Sequence, residues 1–93
     1  MKRMTEKVRN WLGTRLDLPT DVALDLPRIT MVGQLHIYIE NHRGLLVFTE
    51  EETRLLLKKG QLLIKGKDFV IKSIIADELL LEGKIEKVIY IDE

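Results

Sequence analysis

Glycine residues divide this chain into short segments from residue 33 onward. The chain has 93 residues and six glycines, and each glycine follows the end of a hydrophobic run. Gly33, Gly66 and Gly83 fit two-residue hairpin turns, in which the first central residue has positive φ. Gly44 and Gly60 fit the end of a type I turn, where a left-handed glycine is preferred. This spacing predicts short strands joined by tight turns.

Runs rich in apolar and β-branched residues follow Pro27 at intervals of about ten residues. Their bounds are 28–32, 34–40, 45–49, 53–57, 61–65, 69–74, 79–82 and 85–91. In the second run Leu35, Ile37 and Ile39 alternate with polar residues, as in a strand with one buried face. We therefore predict a mainly β fold, an antiparallel meander, roll or small sandwich of seven or eight short strands with an N-terminal amphipathic helix.

Residues 50–59 carry conflicting signals. Thr49 and Glu52 form a capping-box pattern, and the leucines and lysines that follow favour a helix. The turn spacing on both sides favours a strand. We predict a strand from Thr53 to Leu57 and a turn at residues 50–52, because tertiary context usually outweighs helix propensity.

The N-terminal segment has helical periodicity. Met4, Val8, Trp11 and Leu12 form one apolar stripe, and Gly13 fits a left-handed helix end. We divide the single domain into an amphipathic helix, a proline-containing connector and an antiparallel β-domain. Their bounds are 1–15, 16–27 and 28–93.

This helix has two competing interpretations. A helix this short is marginal alone, so its apolar stripe needs a surface. The stripe either packs on the protein's own sheet or contacts a partner or an anionic membrane. Residues 1–15 hold five basic residues against one acidic residue. At a membrane this excess supports reversible recruitment and not permanent anchorage. In the second interpretation the contact residues are Met4, Lys7, Val8, Trp11 and Leu12.

The residues that usually carry catalysis are sparse. Cysteine is absent, and His36 and His42 have no companions at metal-ligand spacing, so we expect surface or turn histidines. Ser73 lies in an apolar run without a nearby base, and the carboxylates of residues 50–52 fit solvated charge. We predict no catalytic, cofactor-binding or metal-binding residues, no cofactor, and no enzyme activity.

A small nucleic-acid-binding barrel is the alternative from another functional class. It would use the lysines of the predicted turns as a basic edge, with Tyr38 and His36 as a stacking surface. The lysines are Lys58, Lys59, Lys65 and Lys67. Basic and acidic residues balance at 15 each, and aromatic residues make up 5%, so we expect no nucleic acid partner.

The apolar runs are much shorter than the roughly 18–20 residues that cross a bilayer, and the N-terminus lacks a signal-peptide core. We therefore expect a cytoplasmic protein.

Several segments together resemble one family. They are Leu-Pro-Arg-Ile-Thr-Met-Val-Gly at 26–33, Ile-Glu-Asn-His-Arg-Gly at 39–44, Gly-Gln-Leu-Leu-Ile-Lys-Gly at 60–66, Phe-Val-Ile-Lys at 69–72, Leu-Glu-Gly-Lys-Ile at 81–85 and Ile-Tyr at 89–90. In order, spacing and total length the chain resembles the YabP/YqfC family of bacterial sporulation proteins.

The resemblance implies a small mother-cell protein required for endospore formation, and it supplies no catalytic residues. It also implies a membrane-bound sporulation protein as a plausible partner. Our hypothesis is a non-enzymatic interaction or scaffold module, which acts near a membrane and self-associates through its sheet edges.

Overall fold

Six strands account for most of residues 25–92, the part of the chain that this computed structural model describes. They are β1 (Arg28–Val32), β2 (His36–Glu40), β3 (Gly44–Phe48), β4 (Glu52–Leu56), β5 (Gln61–Ile75) and β6 (Glu78–Ile91). All neighbours are antiparallel, in the order β1-β2-β6-β5-β4-β3. The mainly β prediction is confirmed. The predicted N-terminal helix lies outside the described residues.

The predicted number of seven or eight strands is wrong. The predicted runs 61–65 and 69–74 are both parts of β5, and the runs 79–82 and 85–91 are both parts of β6. Gly66 and Gly83 therefore lie within long strands and not in hairpin turns. Gly33 and Gly60 do lie between strands with positive φ, at +56° and +76°.

The long hairpin of β5 and β6 bends where its register shifts, between Lys65 and Val70. Before the bend, residues 61–65 pair with β4 and with residues 87–91. After it, residues 70–75 pair with residues 78–82, which also pair with β2. Each long strand thus belongs to two halves of the sheet. We call them the first half-sheet (β1, β2, 78–82 and 70–75) and the second half-sheet (β3, β4, 61–65 and 87–91).

The two half-sheets share one hydrophobic core. Its members come from the first half-sheet (Ile37, Ile39, Leu79, Leu81), from the second (Leu55, Leu62, Ile64), from the residue that follows β4 (Leu57) and from the bend (Phe69, Ile85). A sheet needs a second layer to bury its apolar face. Here the sheet supplies that layer by folding over on itself, which is the roll-like form of the predicted architecture.

Glycine is required at the bend because the backbones and Phe69 approach closely there. A Cβ atom on Gly66 would overlap the carbonyl oxygen of Lys84 and lie 2.7 Å from the Phe69 ring. A Cβ atom on Gly83, where φ is +154°, would lie 2.6 Å from the same ring. Such bulge glycines let a strand bend sharply.

The region of conflicting signals forms a strand, as predicted. Thr53 and Leu55 face inward with no exposed surface, whereas Glu52, Arg54 and Leu56 are half-buried. Strand pairing on both sides of β4 outweighs the local helix propensity.

His42 lies between β2 and β3, as expected of a turn histidine, but it is buried and only 3% of it is exposed. The connection from β2 to β3 crosses between the half-sheets. The His42 N–H donates to the Asp77 carbonyl (3.1 Å), and the Arg43 N–H donates to the Leu56 carbonyl (2.7 Å). The Gly44 N–H donates to His42 Nδ1 (3.0 Å), so His42 is bound as a neutral ring. Its Nε2 has no hydrogen-bond partner among the described residues.

Gly83→Ala should destabilise the protein by about 2–4 kcal/mol, because the new methyl group meets Phe69 and the backbone conformation is strained. Gly33→Ala is the matched control, since φ is also positive there but no atom lies within 4 Å of the added Cβ. Urea unfolding measures both changes. Equal losses for the two variants would contradict a crowded bend.

Acid should destabilise the protein through His42. Burial lowers the pKa of His42 below 6.5, and the nearby Asp77 charge opposes this only in part. The unfolded chain therefore takes up the proton first, so stability is complete above about pH 6.5 and falls as the pH drops towards the folded-state pKa. The change of the unfolding free energy with pH should stay below the limiting value of about 1.4 kcal/mol per pH unit for one proton.

The test compares urea unfolding at pH 7.5 and 5.5 for three proteins. His42→Asn keeps an acceptor for the Gly44 N–H but does not titrate, so it should lose this acid sensitivity. His36→Asn, which removes the other histidine, should keep it. An unchanged acid loss in His42→Asn would refute the assignment.

Candidate docking surface

Two surface cavities of residues 25–92 could bring chemical groups together. One, of about 410 Å³, is polar and lies beside the bend. Its lining residues are Thr49, Glu50, Glu51, Lys67 and Asp68. The other, of about 400 Å³, is lined by Asp25, Leu26, Pro27, Leu57, Lys58, Lys59 and Tyr90. Neither lining contains His36, His42 or Ser73. Within residues 25–92, no cluster of three or more histidine and acidic side chains has metal-binding geometry.

The structure separates the lysines of the nucleic-acid alternative. Lys58 and Lys59 precede β5, and Lys58 Nζ lies 3.7 Å from Asp25 Oδ2. Lys67 follows residues 61–65 of β5, at the bend, where it lines the first cavity together with Glu50 and Glu51. The proposed stacking residue Tyr38 is 2% exposed and cannot stack on a base.

The predicted contact residues at positions 4, 7, 8, 11 and 12 lie outside the described residues. The described segment, 25–92, has no helix of the length and hydrophobicity that a membrane crossing requires.

The largest run of exposed apolar side chains is on β3. Leu45, Leu46, Val47 and Phe48 are each between 37% and 46% exposed. β3 is the last strand of the sheet, and the register with β4 shifts between Leu45 and Val47. Its side chains therefore extend over both faces of the sheet at an edge, where apolar groups are normally shielded.

The outer backbone of β3 is also open. No strand within residues 25–92 pairs with this side, so its N–H and C=O groups face outward. The opposite edge strand, β1, carries the charged residue Arg28, whereas β3 carries no charged residue. Charged residues on edge strands oppose pairing with other chains. Residues 70–75 and 87–91 are also paired on one side only, and they include the charged residues Lys72 and Lys87. By this criterion β3 is the edge that favours strand addition.

The sequence contains a signal for this edge, but the signal is ambiguous. Residues 45–48 are consecutively apolar, and such a run fits a strand buried on both faces as well as an exposed edge. Only the strand order distinguishes these cases.

The outer face of the first half-sheet differs from β3. His36 Nε2 lies 3.5 Å from a Glu82 carboxylate oxygen, and Lys72 Nζ lies 3.1 Å from the other. The hydrogen bond from Lys72 is the main cause of the lowered pKa of Glu82. Beside this group, the Tyr38 hydroxyl donates to Glu78 Oε1 (2.6 Å). This face is thus an ordered arrangement of polar side chains around Tyr38.

An ionic cluster fixes the start of the described chain. Asp25 accepts hydrogen bonds from the Asn41 amide (3.1 Å) and from Arg43, and Asn41 also donates to the Leu26 carbonyl (2.9 Å). The hydrogen bond from Asn41 is the main cause of the lowered pKa of Asp25, and Arg43 and Lys58 add to it. Asp25 is therefore held at the connection between β2 and β3.

Comparisons with known proteins give a consistent result. The YabP family model matches residues 25–93. The chain is also similar to a protein of Bacillus subtilis (strain 168) named YqfC and described as uncharacterized, with 58% identity over 92 residues. This match covers 99% of each chain. The resemblance seen in the sequence is therefore confirmed, and the chain belongs to the YabP/YqfC family as a YqfC-like member.

Proposed function

We propose that this protein is a non-enzymatic interaction module of endospore formation, which binds an extended apolar segment of a protein partner at β3. The observation that carries the proposal is the uncharged apolar edge at Leu45–Phe48, with exposed side chains and an open backbone. The role in sporulation rests on membership of the YabP/YqfC family.

Strand addition explains why exposed apolar side chains and an unpaired backbone occur together on β3. Backbone groups of an open edge supply affinity to an added strand, and side chains on its two faces supply specificity. β3 presents both kinds of group. A partner segment paired there would extend the second half-sheet and cover residues 45–48.

A partner segment fits this edge better than a second copy of the chain. Stable complexes bury about 800 Å² on each partner. β3 spans Gly44–Phe48, and a five-residue strand is about 17 Å long, so self-pairing of β3 alone is too small for a stable dimer. A partner that is held nearby by a membrane needs only a weak contact, because tethering raises its effective concentration.

Replacing Leu46 and Val47 together by lysine should abolish partner binding and reduce sporulation at least about tenfold, because charge on an edge strand blocks strand addition. Sporulation is measured as heat-resistant colonies of Bacillus subtilis that lacks its YqfC and produces the variant. Partner binding is measured by capture of the tagged protein from the same cells.

Ile89→Lys is the matched control. Ile89 is 38% exposed, close to the 37% of Val47, but it lies on β6 and not on β3. The control should sporulate normally, and circular dichroism should show that both variants are folded. Normal sporulation and capture by the β3 variant would refute the docking edge.

Membrane recruitment by the N-terminal segment stays a prediction that vesicles can test. If Met4, Lys7, Val8, Trp11 and Leu12 contact a membrane, the full chain should bind vesicles with anionic lipid, and binding should weaken as salt screens the charges. Vesicles of neutral lipid are the control. Equal sedimentation with both vesicle types, or with neither, would contradict this role.

A further inference from the structure

Two large side chains are buried on the outer face of the first half-sheet, away from the core. Ile37 and Ile39 on β2 and Leu79 and Leu81 on β6 face the core. Since side chains alternate along a strand, Tyr38 and Leu80 face outward. They are paired across β2 and β6, yet only 2% of Tyr38 and 1% of Leu80 is exposed.

The strands themselves account for only part of this burial. The residue paired with Tyr38 on β1 is Thr30, and the residue paired with Leu80 on β5 is Ser73. Both side chains are short and half-buried. A phenol ring and an isobutyl group beside such short neighbours need a further layer above them.

We propose that residues 4–12 of the same chain form this layer, with the apolar stripe of Met4, Val8, Trp11 and Leu12 packed on Tyr38 and Leu80. The proposal selects one surface for the helix predicted from the sequence. It is independent of partner binding at β3, which lies at the far edge of the other half-sheet.

The dimensions fit. A helix over residues 4–12 is about 13 Å long, and four strands spaced about 4.8 Å apart span about 14 Å between the outer two. Residues 13–24 can extend about 40 Å, which exceeds the distance across the half-sheet. The described chain begins at Asp25, next to β1 of this same half-sheet. The connector therefore has ample length to place the segment on this face.

The charges also fit. The face carries Glu40, Glu78 and Glu82 around Tyr38 and Leu80, against the permanent cations Arg28 and Lys72. Residues 1–15 carry an excess of four positive charges. Basic residues beside the stripe therefore meet a surface with an acidic excess, where ion pairs at the rim can fix the orientation of the helix.

Trp11 provides the test, because it is the chain's single tryptophan and the chain has no cysteine. Ile75→Cys places one thiol on the outer face, since Ile75 pairs with Glu78 and is 64% exposed. Lys65→Cys places a matched thiol on the second half-sheet, at an exposed site. Each full-length variant is labelled with a nitroxide, which quenches tryptophan fluorescence only at short range, and is compared with its reduced label.

We expect loss of most of the Trp11 emission with the nitroxide at residue 75 and little change with the nitroxide at residue 65. Equal emission from the two labelled proteins would overturn the proposal. A second sample mixes unlabelled protein with labelled Ile75→Cys protein that also carries Trp11→Phe. Quenching in this mixture would place the segment on a second copy, and would also overturn the proposal.

Anionic vesicles distinguish membrane contact by the apolar stripe from packing of the stripe on the sheet. If quenching at residue 75 is present without vesicles, the apolar stripe lies on the sheet in the free protein, as proposed. If quenching is absent in the free protein and Trp11 emission shifts to the blue only with vesicles, the stripe is a membrane contact and the proposal is wrong. The β3 variants leave this readout unchanged, so a failure here is distinct from a failure of the docking edge.

Discussion

The close packing of Phe69 against Gly66 and Gly83 is the contact on which the rest of the fold depends. β5 and β6 form a hairpin long enough to belong to two half-sheets, and only a bend lets those halves face each other. A side chain on either glycine would enter the space of the ring or of the opposite backbone. Without the bend, the inward residues of β2 and β4 would have no second layer to pack against.

A core made in this way has consequences for function. Within residues 25–92 the sheet folds over without closing into a barrel, so its terminal strands keep sides that no described strand covers. The interior is filled by hydrophobic side chains, and the two surface cavities do not gather the histidines or the serine. The features left for recognition are therefore edges and outer faces, among which β3 is distinguished by its lack of charge.

Local patterns predicted where the strands lie, but not how they connect. Each of the eight predicted runs overlaps a strand of the structure, and the bounds differ by one or two residues at 34–35, 49 and 57. The error was at Gly66 and Gly83, because a single glycine in the sequence suits a hairpin turn and a strand bulge equally well. Phe69, which decides between them, is a non-local partner of Gly83. The burial of His42 was also missed, since it follows from a crossing between half-sheets and not from its neighbours in sequence.

Local sequence patterns also did not predict which side chains are exposed at the candidate site. Four consecutive apolar residues at 45–48 are visible in the sequence, but their exposure follows from the place of β3 at the end of the strand order. Tyr38 presents the opposite case, because alternation assigns it to a wet face and yet it is buried. Apolar and polar residues do not alternate along β3, and its apolar side chains are exposed. They do alternate along β2, and yet Tyr38 on its outward face is buried. The covering element that we propose lies outside the strands, and the basic segment at the N-terminus has the length and the charge for this role.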